Sequence, residues 1–89
     1  MRDLKNWVEI TKGIYRHVIS TNVAYEIHIK YWDMDRDILT ANASLYIVGD
    51  WRSRDGKNTM ERECLLDSAP VMDCLAKAEE DDLENNTES

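Results

Sequence analysis

Val23-Ala-Tyr-Glu-Ile-His-Ile-Lys-Tyr-Trp32 is the stretch that decides the fold. Val23, Tyr25, Ile27, Ile29 and Tyr31 occupy alternate positions, with Ala24, Glu26, His28, Lys30 and Trp32 between them. Side chains alternate across a strand, so one face of this segment is apolar and the other mostly polar. Its β-branched and aromatic residues also suit a pleated, half-buried surface. The stretch therefore reads as the central strand of an antiparallel sheet.

Toward the N-terminus, Ser20-Thr21-Asn22 has turn chemistry, and residues 14–19 (Ile-Tyr-Arg-His-Val-Ile) read as the partner strand of a hairpin. A two-residue turn at Thr21-Asn22 would set Ser20 against Val23, His17 against Glu26 and Arg16 against Ile27. That is the preferred register, although it leaves Arg16 in need of a partner or an edge position. A slip of one residue would instead put Tyr15, His17 and Ile19 on the core side. Lys12-Gly13 marks a further turn, since glycine tolerates positive φ. Before it, Trp7-Val-Glu-Ile10 fits either a short edge strand or one helical turn.

Toward the C-terminus, Asp33-Met-Asp-Arg-Asp37 is a charged loop, and residues 38–48 read as the next strand with Leu39, Ala41, Ala43, Leu45 and Ile47 on one face. The small residues at 41–44 suggest that another element packs closely there. Gly49 ends the strand, and a long polar connection follows over residues 50–58, with Asp55-Gly56 as its turn signal. Residues 59–66 alternate weakly and read as a fourth strand opposite the third. Asp67-Ser-Ala-Pro70 has the chemistry of a helix start, with Asp67 or Ser68 as cap and Pro70 in the first turn. Val71, Cys74, Leu75 and Ala78 then form a helical apolar stripe. Acidic residues at the helix C-terminus oppose its dipole, which predicts fraying within residues 79–84. The expected architecture is α+β, a small antiparallel β-meander of about four strands with a C-terminal helix on one face. Residues 1–78 form the domain. Residues 79–89 form an acidic, fraying or disordered tail, and removal of residues 80–89 is expected to change stability by no more than about 1 kcal/mol.

Composition narrows the function classes. The chain has 89 residues, 43% hydrophobic and 33% charged, with no Phe. No apolar run approaches the roughly 20 residues needed to span a bilayer. The N-terminal residues show no signal-peptide pattern, and two cysteines are too few for a disulfide framework, so a cytoplasmic home is expected (the host cytoplasm if the chain is viral). Net charge is −7, yet six of the 18 acidic residues lie in 79–89, which leaves 12 acidic against 11 basic residues over 1–78. A clustered basic footprint for phosphate binding is missing, so direct nucleic-acid binding is not expected.

Chemistry-bearing motifs are equally sparse. Asp33-x-Asp35-x-Asp37 resembles the opening of a calcium loop, but Ile38 stands where the turn glycine belongs and Ser44 where a bidentate Glu belongs. His17, Glu26 and His28 would share a face in the preferred register, but a fourth ligand is lacking. Cys64 and Cys74 lack zinc or redox spacing and read as free buried thiols. Neither a glycine-rich phosphate loop nor a nucleophile elbow is present. No enzyme activity, metal or cofactor is expected.

Trp51 stands apart, flanked by Asp50, Arg52, Arg54, Asp55 and Lys57 in the most polar connection of the chain. Trp and Arg are favoured hot-spot residues, and loops on a rigid sheet commonly carry recognition. Trp51 either covers an end of the small, Phe-free core or anchors a partner; in the second case the expected partner-binding residues are Trp51, Arg52 and Arg54, assisted by the carboxylates of Asp33, Asp35, Asp37, Glu79, Glu80, Asp81 and Asp82. In size and acidity the chain is similar to small anti-CRISPR proteins, a likeness of profile rather than of motif. It implies a phage-type inhibitor of a host defence nuclease complex, bound directly to a protein partner such as a basic nucleic-acid-binding protein. The alternative is a structural domain that forms a homodimer through a sheet edge or an uncovered apolar face.

Overall fold

The computed structural model describes residues 4–20, 23–49 and 61–86. They form β1 (Val8–Thr11), β2 (Ile14–Val18), β3 (Val23–Tyr31), a 3-10 turn (Ile38–Thr40), β4 (Asn42–Gly49), β5 (Glu61–Pro70) and α1 (Val71–Asn86). The strands make one open antiparallel sheet in the order β1-β2-β3-β4-β5, with α1 packed against it. The α+β meander read from the sequence is present with five strands rather than four. The additional strand is β1, short and exposed at all four residues. Gly13, in the turn from β1 to β2, has φ +83°, which requires glycine there.

The β2–β3 hairpin takes the slipped register. Tyr15 faces Ile27, Arg16 faces Glu26, His17 faces Tyr25 and Val18 faces Ala24. The amides of Ile19 and Ser20 both donate to the Val23 carbonyl, at 3.0 and 3.1 Å, so the turn is wider than two residues. This corrects the preferred pairing of Arg16 with Ile27. The physical reason is that Arg16 now meets a carboxylate, while Tyr15 and His17 join the side that holds Ile27 and Tyr25.

Three further boundaries differ from expectation. The segment at residues 38–40 is a 3-10 turn rather than strand, because the Asp37 carboxylate accepts from the Leu39 amide at 2.9 Å and caps it. β5 continues through Asp67-Ser-Ala-Pro70, so these residues do not open the helix. Two register shifts between β4 and β5, with Ser68 at φ +55°, break the simple alternation of that strand. The helix begins at Val71 directly after the strand, and its first amide donates to the Ala41 carbonyl at 2.9 Å. Asp67 and Ser68, expected as caps, instead accept from Lys30 Nζ at 2.7 and 2.9 Å.

The main core lies between the sheet and α1, while Ala24 and Val48 are fully buried on the opposite face. Val71, Cys74, Leu75 and Ala78 are fully buried against Tyr25, Ile27, Ala43 and Leu45, with Trp7 and Ala41 at the margin. Ala41 and Ala43 allow the close approach of the helix that the small residues at 41–44 suggested. Leu75→Ala would remove a fully buried side chain at the centre of this stripe, a change that typically costs about 2–5 kcal/mol.

α1 runs to Asn86, beyond the point where the sequence places its fraying. One anchor is visible, since the Tyr25 hydroxyl donates to Asp81 Oδ2 at 2.6 Å from a fully buried ring. A bond to a charged acceptor at a partly buried site offsets the unfavourable end charge of the helix. Removal of residues 80–89 is therefore expected to cost more than the 1 kcal/mol assigned to a loose tail. Tyr25→Phe, which deletes only the hydroxyl, is expected to cost about 1–2 kcal/mol in denaturant unfolding. An unchanged midpoint in Tyr25→Phe would show that the bond contributes nothing.

Candidate functional site

The sheet face opposite α1 gathers polar residues from four strands. Arg16 on β2 faces Glu26 on β3, Glu26 faces Tyr46 on β4, and Tyr46 faces Cys64 on β5. Residues paired directly across strands share a face, so this row stands away from the helix. His28 lies two residues beyond Glu26 on the same face, opposite Ser44, and Arg62 lies two residues before Cys64.

Glu26 is the centre of this group. It is only 1% exposed, yet it is ionisable and belongs to a class of side chain almost never buried without partners. Oε2 accepts from Arg16 Nε at 2.9 Å and Nη2 at 2.6 Å, while Oε1 lies 2.9 Å from His28 Nε2 and 3.7 Å from Arg62 Nη2. Burial by itself pushes the Glu26 carboxyl up. The hydrogen bonds from His28 and Arg16 and the charges of Arg16 and Arg62 outweigh it, so the carboxyl is held below the usual glutamate range. Aromatic contacts extend the group. The His28 ring meets Tyr46 edge-on at 4.7 Å, and the Arg62 guanidinium lies 5.6 Å from the Tyr46 ring centroid.

A second polar link stands beside it. Asp67 Oδ1 accepts from Lys30 Nζ at 2.7 Å and from Ser44 Oγ at 2.6 Å, tying β3, β4 and β5 together. Nearer β1, Val8, Ile10 and Val18 are exposed and line a shallow groove with Arg16, Asn6 and His17. The site is thus a buried carboxylate clasped by cations, next to an exposed apolar strip.

The residues singled out from sequence are distributed differently. Trp51, Arg52 and Arg54 lie outside the described residues. Asp33 and Asp37 are engaged within their own loop: Asp33 Oδ1 accepts from the Asp35 amide at 3.1 Å, and Asp37 caps the 3-10 turn. Asp35 is exposed. This loop leads into the 3-10 turn packed at α1, whose Ala41 carbonyl receives the first helical amide. Glu79, Glu80, Asp81 and Asp82 lie on α1, about 12–17 Å further along its axis at 1.5 Å per residue. The two acidic groups therefore do not form one patch.

The His17–Glu26–His28 set is also divided. His17 turns to the helix side, where its ring lies 5.4 Å from Trp7 and Nδ1 is 3.1 Å from the Asn6 carbonyl, while Glu26 and His28 take the other face. Among the described residues no group of three or more His, Cys, Asp or Glu is placed to hold a metal ion. Cys74 is buried as expected, and burial, with the nearby charge of Asp73, pushes its thiol up to about 11. Cys64 is exposed instead, because the register of β5 places it on the helix-free face. The sequence alone does not single out Arg16, Tyr46 or Arg62. The available signal was that Arg16 lacked a partner in one register and met Glu26 in the other.

The depressed pKa of Glu26 has a direct consequence for stability. A carboxyl whose folded pKa lies below its unfolded value stabilises the fold above the unfolded value, about 4.5. That contribution is lost as pH falls through the folded pKa. Acid unfolding of the parent is therefore expected to include a loss that begins below about pH 4.5 and is absent in Glu26→Gln. At neutral pH the same variant is expected to be less stable by about 1–3 kcal/mol, since Arg16 loses a charged acceptor. Parallel acid limbs for the two proteins would show that Glu26 titrates normally.

No protein-family profile matches the chain. Neither a curated protein nor a solved structure matches it.

Proposed function

We propose that the chain is a non-catalytic protein-binding module that meets its partner through the sheet face opposite α1. The observation that carries this is the Glu26 group. A buried carboxylate holds Arg16 and His28 by hydrogen bonds and draws in Arg62, so residues of hot-spot type are ordered before any partner arrives. The exposed strip of Val8, Ile10 and Val18 adds apolar area at its side. The most concrete version remains a phage-type inhibitor of a host defence nuclease complex. It is supported by the acidic residues at 79–84 of α1, whose negative charge favours encounter with a basic partner from beyond the contact face. The Trp51 loop is a second contact in this scheme.

A homodimer is the second reading, supported by the exposure of Val8 and Ile10 on a strand at the edge of the sheet. Light scattering on the pure protein separates the two, since a partner-binding module is monomeric alone. Capture from native cytosol followed by quantitative mass spectrometry then compares the parent with Val8→Glu/Val18→Glu and with Trp51→Ala. Both substituted valines are exposed, so the double variant is expected to keep the parent's thermal midpoint. Its recovery of the partner is expected to fall by about tenfold or more, the equivalent of about 1.4 kcal/mol. Undiminished capture by the folded double variant would remove this face from the interface, and loss confined to Trp51→Ala would place recognition in the loop.

A further inference from the structure

Among the described residues, two guanidiniums, Arg16 and Arg62, stand at the buried carboxylate of the face opposite α1. Both oxygens of Glu26 are engaged, Oε2 by Arg16 and Oε1 by His28. Arg62 Nη2 stops 3.7 Å from Oε1, beyond hydrogen-bond reach, although the charges still attract. The neighbouring anion, Asp67, is occupied by Lys30 and Ser44. Arg62 thus stands at Glu26 with donors that Glu26 does not use.

Arg62 is also the member of the group open to a ligand. Its side chain is 45% exposed, against 30% for Arg16 and 23% for His28. A chain of contacts places it: Glu26 holds His28, the His28 ring abuts Tyr46, and Tyr46 lies beneath the Arg62 guanidinium. A guanidinium ordered in this way has lost much of its rotamer freedom before binding.

We infer that Arg62, set on Tyr46 and braced by His28, receives a single side-chain carboxylate from a protein partner. This deepens the proposed partner-binding role of the face and rests on it. The planar fork of a guanidinium matches the two oxygens of a carboxylate. A polyphosphate is disfavoured, because a single exposed guanidinium beside the buried Glu26 carboxylate offers only a local well for an extended polyanion. The acidic residues at 79–84 of α1 add longer-range attraction for a partner that is basic overall. The fitting partner is therefore a basic protein that presents one Asp or Glu, and such a mixed pairing fixes orientation as well as encounter.

The test uses the full chain labelled with 15N and sodium acetate as the probe, with sodium chloride at matched ionic strength. Acetate is expected to shift the Arg62 Nε–H resonance and the amides around Tyr46 saturably, while chloride leaves them in place. Arg62→Ala is expected to abolish the shifts in a chain that stays folded, with only a small fall in thermal midpoint as Glu26 loses a facing charge. Arg62→Lys, which keeps the charge without the fork, is expected to weaken binding by roughly threefold or more. Equal shifts in chloride, or persistence in Arg62→Ala, overturn the assignment. Tighter binding of inorganic phosphate than of acetate overturns the carboxylate and makes this a phosphate site. Partner capture through the Val8/Val18 face with no acetate binding overturns the Arg62 receptor alone. Acetate binding with capture indifferent to that face overturns the protein source of the carboxylate.

Discussion

The pairing of Arg16 with Glu26 is the constraint on which the rest of the sheet depends. A carboxylate that is 1% exposed must find charged donors or lose its charge. Only the register that sets Arg16 directly opposite Glu26 supplies a donor pair within 3 Å. Because side chains alternate with period two, that choice also sends Tyr15 and His17 to the helix side of β2. There Tyr15 packs against the core and His17 meets Trp7. The register that satisfies the charge is the one that fills the core, so the electrostatic and hydrophobic preferences agree. In the alternative, Arg16 would stand opposite the fully buried Ile27 instead of Glu26. A buried ion pair is weak evidence for net stability, but fixing register is among its best-attested uses.

Much of the architecture was legible because its strongest elements are periodic. The sequence of β3 alternates apolar with polar residues and that of β4 nearly so, although Ala24 to Ile27 are buried on both faces, and the stripe Val71, Cys74, Leu75 and Ala78 has the spacing of one helix face. The errors fall where a specific polar contact overrides the pattern. Ile38 and Leu39 extend the apolar run toward β4, but the Asp37 cap and the bonds of Thr40 and Ala41 back to Asp37 and Ile38 hold them in a 3-10 turn. Asp67 and Ser68 have the chemistry of helix caps, but Lys30 and Ser44 claim Asp67, and Lys30 claims Ser68, across the sheet. The bulges of β5 then shift its register twice, so no period-two reading could carry the strand through to Pro70. The acidic end of α1 reads as a loose tail from charge alone, since the Tyr25 hydroxyl that holds Asp81 lies 56 residues earlier.

The site was less legible for a related reason. Its members sit at positions 16, 26, 28, 46 and 62, and each looks ordinary in its own segment. Tyr46 joins Glu26 only through the β3–β4 register, and Arg62 reaches them only through the irregular pairing of β4 with β5. Glu26 itself hides on the polar side of the most readable strand, where a solvated carboxylate is the ordinary expectation. Its burial is a property of the assembled sheet.

The edges of the sheet bear on how such a surface can be used. β1 has four residues and a register shift between Glu9 and Thr11, which makes it a short and irregular template for a further strand. β5, at the other edge, is bulged twice and carries Arg62, Glu63 and Asp67 among its exposed residues. Short edge strands, bulges and charges are the devices by which sheets discourage pairing with another chain. Strand addition is therefore handicapped at both ends, and the homodimer that would use β1 inherits that handicap. The helix-free face has no such defect, since its polar groups are ordered by bonds to one another and its exposed valines lie beside them. Recognition across the face uses side chains already in place, whereas recognition at an edge must first straighten a strand that the sequence has kinked.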